Sequence, residues 1–171
     1  MADKVKIFCD GSYYQNSRAG AWGVTLSIGE NRRHYAGGYI QYMSSYIMEL
    51  NAIIYALKLA SQVKNPKSVT IFSDCKSIVN LINSSTKKDF KIKNSYSCKP
   101  LLRKIISFFK SLVAKGVNIF VKHVKAHVGI LGNEIADKLA KIAVKKKLET
   151  PTVVNMSLNN FQQKCKKKSK K

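Results

Sequence analysis

The chain has 171 residues, of which 45% are hydrophobic, so it can fill one core but not two. It carries 31 Lys and Arg residues against nine Asp and Glu residues, and the net charge of +22 favours a polyanionic partner. Nucleic acid is the leading candidate and an anionic membrane surface the second. No stretch approaches the roughly 20 apolar residues of a membrane helix, which argues against a spanning protein.

The cysteines indicate the compartment. They have no C-x-x-C or other metal-binding spacing, and no signal peptide precedes them. We therefore predict reduced thiols in an intracellular protein, cytoplasmic or nuclear and not secreted. Cys9 and Cys75 are predicted to be buried. The four cysteines are Cys9, Cys75, Cys98 and Cys165.

Three antiparallel strands are predicted at the start of the chain, over residues 5–9, 21–28 and 32–39. The first strand ends at Asp10, where Asp10-Gly-Ser opens a loop that runs to Gly20. An acid in such a basic chain needs a reason to be present, and the carboxyl ends of buried strands are where open α/β sheets bind ligands. Asp10 is therefore a candidate functional residue.

A helix is predicted from residue 45 to about 63, because apolar residues recur there at three- and four-residue spacing. Glu49 lies on or beside its buried stripe, which is costly without a cation or hydrogen-bond partners. A strand over residues 68–72 follows and ends at Ser73-Asp74. A helical crossover implies parallel pairing with the first strand, so Asp10 and Asp74 are expected side by side.

The rest of the chain is predicted to hold a short helix at 77–82, a lysine-rich connection at 84–99, and a helix from 100 to about 115. A strand at 117–122, a loop to Gly132 and a last helix at 133–146 complete the domain. Glu134 and Asp137 lie in the first turns of that helix, where the helix dipole favours acids. Residues 148–171 lack a period and end with six lysines in eight residues, so we predict a tail that is disordered until bound.

Four segments of the chain resemble the signature segments of type 1 ribonuclease H, in the expected order and on the expected elements. They are Asp10-Gly-Ser, Met48-Glu49-Leu50, Ser73-Asp74 and the run from His127 to Asp137. The resemblance spans residue 5 to about 146. It implies an α/β, ribonuclease H-like fold with a mixed five-stranded sheet flanked by helices, as one catalytic domain over residues 1–147.

The resemblance implies an endonuclease that cuts the RNA strand of RNA–DNA hybrids and leaves 5′-phosphate and 3′-hydroxyl ends. By match to the motifs, His127 would be a mobile catalytic residue that assists protonation or product release, and Glu134 an acid adjoining the metal site. Capping of the last helix is an equal alternative for Glu134. The implied catalytic metal ligands are Asp10, Glu49, Asp74 and Asp137.

The chemistry asks for such a set of carboxylates. Phosphodiester hydrolysis requires an activated water, neutralised phosphate oxygens and a stabilised leaving oxygen, which two metal ions about 3.5–4 Å apart supply. Oxygen ligands suit Mg²⁺, with Mn²⁺ as a substitute. Without metal the carboxylates would repel one another and raise one another's pKa, so metal is expected to stabilise the fold.

Hybrid recognition requires groups that read 2′-hydroxyls on one strand. Many family members carry paired asparagines before the acidic helix residue, whereas this chain has Ser45-Tyr46. Bacterial members also commonly insert a longer basic segment where this chain has its connection at 84–99. The lysine tail is one candidate for the missing affinity, and a localisation signal or a solubilising end are alternatives for it. The substrate-binding candidates are Gly11, Ser12, Asn16, Ser44, Ser45 and Asn133.

Several alternatives stay open. Asp137 could instead pair with Lys141 one turn on. Trp22 is expected in the core, and His34 and His123 on the surface. The rival functions are a junction resolvase or transposase-like nuclease of the same fold, and a non-catalytic nucleic-acid-binding protein. We expect a monomer that binds nucleic acid and not a membrane.

Overall fold

A computed structural model describes residues 4–87, 90–92 and 97–156 of the chain. Its elements alternate in the order that the hydrophobic periods predict. The strands are β1 (Lys4–Tyr14), β2 (Ala19–Ile28), β3 (Asn31–Gln41), β4 (Ser68–Ser73), β5 (Asn118–His123) and β6 (Thr152–Val153). The helices are α1 (Ser45–Gln62), α2 (Lys76–Ser85), α3 (Lys99–Ala114) and α4 (Leu131–Lys146).

The sheet is mixed, with strand order β5-β4-β1-β2-β3-β6. Strands β1, β2 and β3 pair antiparallel, whereas β4 pairs parallel with both β1 and β5. This confirms the predicted antiparallel opening, the parallel crossover and the α/β class. The predicted count of five strands is one short, because the two-residue β6 adds to the edge at β3.

Two layers of helix enclose the sheet. The larger core cluster joins α1 and α3 to the inner side chains of the central strands, such as Ile7 and Ile71. On the opposite face α4 packs on β1, β2 and β3 through Ile135 and Leu139. Burial of each such side chain contributes about 1.5–3 kcal/mol. The helix layers thus fix the ends of β1 and β4, from which the candidate carboxylates project.

The first strand is longer than predicted. The predicted loop from Asp10 to Gly20 is wrong over most of its length, because β1 continues to Tyr14 and pairs there with Ala19. Small residues at 19–21 let the two strands stay paired where the sequence suggested a turn. Asp10 therefore lies within β1, two residues past the last parallel pair with β4 at Phe8 and Phe72, and does not end the strand.

The segment after α4 packs on the domain, so the boundary predicted at residue 147 falls too early. Backbone N–H groups of Gly38 and Tyr39 donate to the carbonyls of Glu149 and Leu148, and β6 then pairs with β3. The apolar side chains of Leu148, Val154 and Met156 hold this segment against the core. The segment is too short to show a hydrophobic period in the sequence. The disorder predicted for residues 148–171 is therefore wrong over residues 148–154, which are hydrogen-bonded to β3. Residues 157–171, with Cys165, lie outside the described residues.

Predictions for individual side chains had mixed outcomes. Trp22 lies in the core, where it stacks on Tyr55 with ring centroids 4.1 Å apart. The surface position predicted for His34 is wrong, since its buried Nδ1 lies 2.8 Å from Thr25 Oγ1 and its backbone carbonyl accepts from the β6 segment. Cys9 is buried as predicted, whereas Cys75 at the start of α2 is only half-buried.

No helix in the described ranges is both long enough and apolar enough to cross a bilayer.

Candidate active site

The strand register places Asp10 and Asp74 at the same level of the sheet. The last parallel pair of β1 and β4 is Phe8 with Phe72, and each acid lies two residues further along its own strand. Residues two apart on a strand project to the same side. The carboxylates of Asp10 and Asp74 are therefore adjacent, as the crossover rule predicts.

Glu49 reaches the same point from the first turns of α1. Ser44 begins this helix by accepting a hydrogen bond on Oγ from the N–H of Ile47 at 3.3 Å. Gly11 lets β1 pass directly under it, because a Cβ on Gly11 would lie 2.4 Å from the backbone nitrogen of Glu49. This close approach holds the Glu49 side chain against the ends of β1 and β4.

The three acids form a compact cluster. One carboxylate oxygen each of Asp10, Glu49 and Asp74 lies within 4.8 Å of the others. Glu49 Oε2 is buried without a hydrogen-bond partner, although an unpaired buried charge is costly. Three hard oxygen donors with an unpartnered buried oxygen are a donor set that a divalent cation fits.

Burial and mutual repulsion hold protons on this cluster. Burial raises the pKa of Asp10, and the charges of Asp74 and Asp137 raise it further. Burial also raises the pKa of Glu49, followed by the charge of Asp10. A hydrogen bond between the two side chains raises the pKa of Glu49 and opposes the rise at Asp10. A bound cation would reverse both shifts by favouring the ionised forms.

Asp137 lies beside the cluster and not within it. Its charge acts on Asp10, but its Oδ2 accepts a hydrogen bond from Lys141 Nζ at 2.8 Å. The structure therefore gathers three of the four predicted metal ligands and places the fourth next to them. The alternative pairing with Lys141, one helical turn away, is present as well.

Two side chains contact Asp74 in ways that sequence reasoning missed. Asn133, only 2% exposed, donates from Nδ2 to Asp74 Oδ2 at 2.9 Å, and the ring nitrogen Nε2 of His123 donates to the Asp74 carbonyl at 3.1 Å. Asn133 was predicted to touch substrate, but its burial favours a role in holding Asp74. Its spacing of four residues from Asp137, on one face of α4, was the available signal. His123 is exposed, as predicted.

His127 lies in the loop between β5 and α4, exposed and outside the carboxylate cluster. Its backbone has a φ of 55°, a conformation that is uncommon for residues with a side chain. The loop is tied to α4 by Gly129, whose N–H donates to Glu134 Oε1 at 3.4 Å. Glu134 thus lies one hydrogen bond from the loop that carries His127.

The other substrate-binding candidates lie at the same end of the sheet as the carboxylates. Ser12 is half-buried on β1, Asn16 is exposed in the turn between β1 and β2, and Ser44 and Ser45 are exposed at the start of α1. Sequence reasoning missed the neighbouring Tyr42. This side chain is 77% exposed, on a residue with a φ of 60°.

Comparison with known proteins identifies the family. The family model described as RNase H matches residues 2–145. Ribonuclease HI of Helicobacter pylori is 32% identical over 154 residues, covering 87% of this chain and 99% of that enzyme. Ribonuclease HI of Haemophilus influenzae is 33% identical over 162 residues, covering 91% and 97%.

A solved structure shows the same fold. LC11-RNase H1 in complex with an RNA/DNA hybrid superposes with a TM-score of 0.66 at 21% identity, covering 84% of this chain and 98% of that one. The family model spans most of the chain, and both relatives exceed 30% identity over nearly their full length. The chain therefore belongs to the RNase H family.

Proposed function

We propose that the protein is a metal-dependent endonuclease that hydrolyses the RNA strand of RNA–DNA hybrids to 5′-phosphate and 3′-hydroxyl products. The observation that carries this function is the cluster of Asp10, Glu49 and Asp74, three acids from three separate elements in a chain with a net charge of +22. A pure phosphate binder would gain nothing from carboxylates at that point, because they repel its ligand.

The cofactor of this proposal is Mg²⁺, as two ions, with Mn²⁺ as a substitute. Asp10, Glu49 and Asp74 would hold the metal, and Asp137 would join them from its position beside the cluster. Bound metal supplies an activated water and neutralises charge on the phosphate. Oxygen-only donors favour Mg²⁺ over softer cations.

The surrounding residues have distinct parts in this proposal. Asn133 keeps the Asp74 carboxylate oriented through the 2.9 Å hydrogen bond between them. His127 moves a proton to or from the reacting phosphate. An exposed imidazole on a loop can change position to reach the substrate, whereas the carboxylates are held in place by the strands and helices that carry them. Glu134 anchors that loop through Gly129.

The substrate lies across the end of the sheet that carries the carboxylates. LC11-RNase H1, which shares the fold, was crystallised with an RNA/DNA hybrid. We assign contacts with the RNA strand to the exposed Asn16, Ser44 and Ser45 and to the backbone at Gly11 and Ser12. The protein is proposed to act as a monomer inside the cell.

A substrate panel tests this function. The wild type and Asp10→Asn are compared on an RNA–DNA hybrid labelled on each strand, double-stranded RNA, double-stranded DNA and a four-way junction, with Mg²⁺ or with chelator. The proposal expects metal-dependent cutting of the hybrid's RNA strand alone, lost in Asp10→Asn. Cutting of the junction would select a resolvase instead, and tight binding without cleavage would select a non-catalytic binder.

A further inference from the structure

The outer face of the sheet, on the side away from α1 and α3, carries an unusual set of side chains where β1, β4 and β5 lie next to one another. Alternate residues of these strands point outward, and the register aligns them in three rows. Helix α4 packs on β1, β2 and β3. The rows are Lys4–Ser68–Asn118, Lys6–Thr70–Phe120 and Phe8–Phe72–Lys122. We call this set the outer sheet face.

One aromatic ring on this face is open to solvent. Phe120 is 49% exposed, in a strand whose inward neighbour Val121 is buried. The ammonium of Lys122 lies 5.8 Å from the centre of that ring. In the next row Phe8 and Phe72 stack with centroids 4.6 Å apart and form a firm floor beside it. The exposed ring is thus accompanied by a cation and lies one row from a stacked aromatic pair.

The charge on the outer sheet face has one sign. Lys4, Lys6 and Lys122 are exposed, and no acid occupies any of the nine positions. The described residues show no ion pair with a carboxylate for these three lysines. The middle row also continues across Ser27 of β2 to Arg32 of β3. Three acids lie near the rows but outside them: Glu30 in the turn between β2 and β3, and Asp10 and Asp74, which follow Phe8 and Phe72 by two residues.

The strand geometry sets the spacing of these groups. Neighbouring strands lie about 4.8 Å apart, so Lys6 stands about 10 Å from Phe120 across β4. Thr70 lies between them in the register, and Ser68 occupies the neighbouring row. The spacing between the Phe120 ring and the lysines suits a nucleotide, with its base on the ring and the neighbouring phosphates on the ammonium groups. The edge of β5 is less open, since Asn83 Nδ2 already donates to the Val121 carbonyl at 3.2 Å.

We propose that the outer sheet face binds single-stranded nucleic acid, with a base stacked on Phe120 and phosphates on Lys4, Lys6, Lys122 and Arg32. Stacking platforms flanked by basic side chains bind single strands in this way with little sequence preference. Charge complementarity favours nucleic acid over a second copy of the chain, because a second copy would bring another positively charged surface against this one. A single exposed ring over hydroxyls offers a membrane too little apolar area. The outer sheet face adjoins the carboxylates, since Asp10 and Asp74 follow Phe8 and Phe72 by two residues, but Lys6 and Phe120 lie one row further away. Binding there does not rest on the proposed function.

Fluorescence anisotropy tests the proposal on the full-length chain bearing Asp10→Asn, with labelled 12-nucleotide oligothymidylate and oligouridylate as probes. Phe120→Ala is expected to weaken binding about tenfold, whereas Phe120→Leu, which keeps apolar volume but no aromatic face, should weaken it nearly as much. Lys6→Ala/Lys122→Ala should lower the magnitude of the salt slope by about 1.4. Thermal unfolding verifies that each variant folds, as expected for exposed positions.

Matched controls lie on α3. Lys104→Ala/Lys110→Ala removes two exposed lysines, and Val113→Ala trims an exposed apolar side chain that is 59% accessible. Both should leave binding of single strands unchanged. Equal losses from the α3 variants, or wild-type binding by Phe120→Ala, would overturn the proposal. So would Phe120-dependent binding to anionic lipid vesicles without binding to oligonucleotides, or a Phe120-dependent dimer in size-exclusion chromatography.

Discussion

Asn133 donates its side-chain amide to Asp74 Oδ2 at 2.9 Å, and it does so from a position that is only 2% exposed. The bond joins α4 to the end of β4, two elements that the chain separates by 59 residues. Because the bond fixes one carboxylate oxygen of Asp74, it restricts rotation of that carboxylate next to Asp10 and Glu49. The geometry of the candidate metal site therefore depends on Asn133 as well as on the acids themselves.

Removal of this support should weaken the site without destroying it. Asn133→Ala is expected to lower kcat/KM on a hybrid about 10- to 100-fold and to raise the Mg²⁺ concentration for half-maximal rate, as for other partners of metal ligands. Asn83→Ala is the control, because it removes a comparable amide donor to the Val121 carbonyl far from the acids. Equal activity losses in both variants would show that Asn133 contributes only stability.

We expect Lys141 to compete with metal for Asp137. Their ion pair of 2.8 Å is half-exposed on the lysine side, and such pairs contribute about 0.5–1 kcal/mol. Lys141→Met should therefore lower the Mg²⁺ concentration for half-maximal cleavage about two- to fivefold. Lys145→Met, one turn further along α4, should leave it unchanged. A higher Mg²⁺ requirement in Lys141→Met would contradict the competition.

Position 11 requires glycine because α1 packs directly against it, and not because its backbone adopts a conformation that favours glycine. A Cβ there would lie 2.4 Å from the Glu49 nitrogen, so Gly11→Ala must push α1 away from β1. We expect a loss of about 2–3 kcal/mol in the free energy of unfolding and at least a tenfold lower kcat, since Glu49 moves with the helix.

The comparison for that variant is Gly29→Ala. Gly29 has a φ of +58° and open space around it, so alanine there should cost about 1 kcal/mol in backbone strain and leave kcat intact. Urea unfolding and hybrid cleavage measure the two effects separately. A normal kcat in Gly11→Ala would mean that Glu49 does not depend on this contact.

The metal-free protein should lose stability as the pH rises. Burial raises the pKa of Asp10 and of Glu49 above their unfolded values, so both are protonated in the fold at acidic pH and resist ionisation above it. Their stabilising contribution is complete below the unfolded pKa and disappears as pH rises through the folded one. In chelator, the midpoint of thermal unfolding should therefore be lower at pH 8 than at pH 5.5.

Two variants check the assignment of that pH dependence. Asp10→Asn should raise the midpoint in chelator at pH 8 by at least about 2 °C and flatten the pH profile. Glu30→Gln removes an exposed turn acid and should change neither. Mg²⁺ should reverse the trend in the wild type. A wild-type midpoint that rises from pH 5.5 to pH 8 in chelator would refute the account.

Local pattern was sufficient to predict much of this molecule. Hydrophobic periods fixed α1, β4 and α4 to within about two residues, since each carries an apolar stripe that must be buried. The handedness and pairing rules for crossovers then brought Asp10 beside Asp74. The charge balance singled out those two acids, because the chain has only nine acidic residues against 31 basic ones.

The misplaced features depend on distant partners. The sequence predicts that His34 lies on the surface. The segment around β6 covers this part of β3, and that segment is too short for a hydrophobic period to predict it. The end of β1 looked like a loop because Gly11 and Ser12 favour turns, whereas pairing with Ala21 and Trp22 extends the strand. Asn133 was assigned to substrate because burial of a polar residue is not visible in sequence.

The most direct test of the account is the rate of RNA-strand cleavage as a function of Mg²⁺ concentration, for the wild type and for Asp10→Asn, Glu49→Gln and Asp74→Asn. We expect cleavage by the wild type that chelator abolishes, and a rate at least about a thousandfold lower in each variant at saturating Mg²⁺, because each removes one charged oxygen donor from the cluster that would hold the two metal ions. Wild-type rates in any of the three variants, or cleavage that persists in chelator, would contradict it.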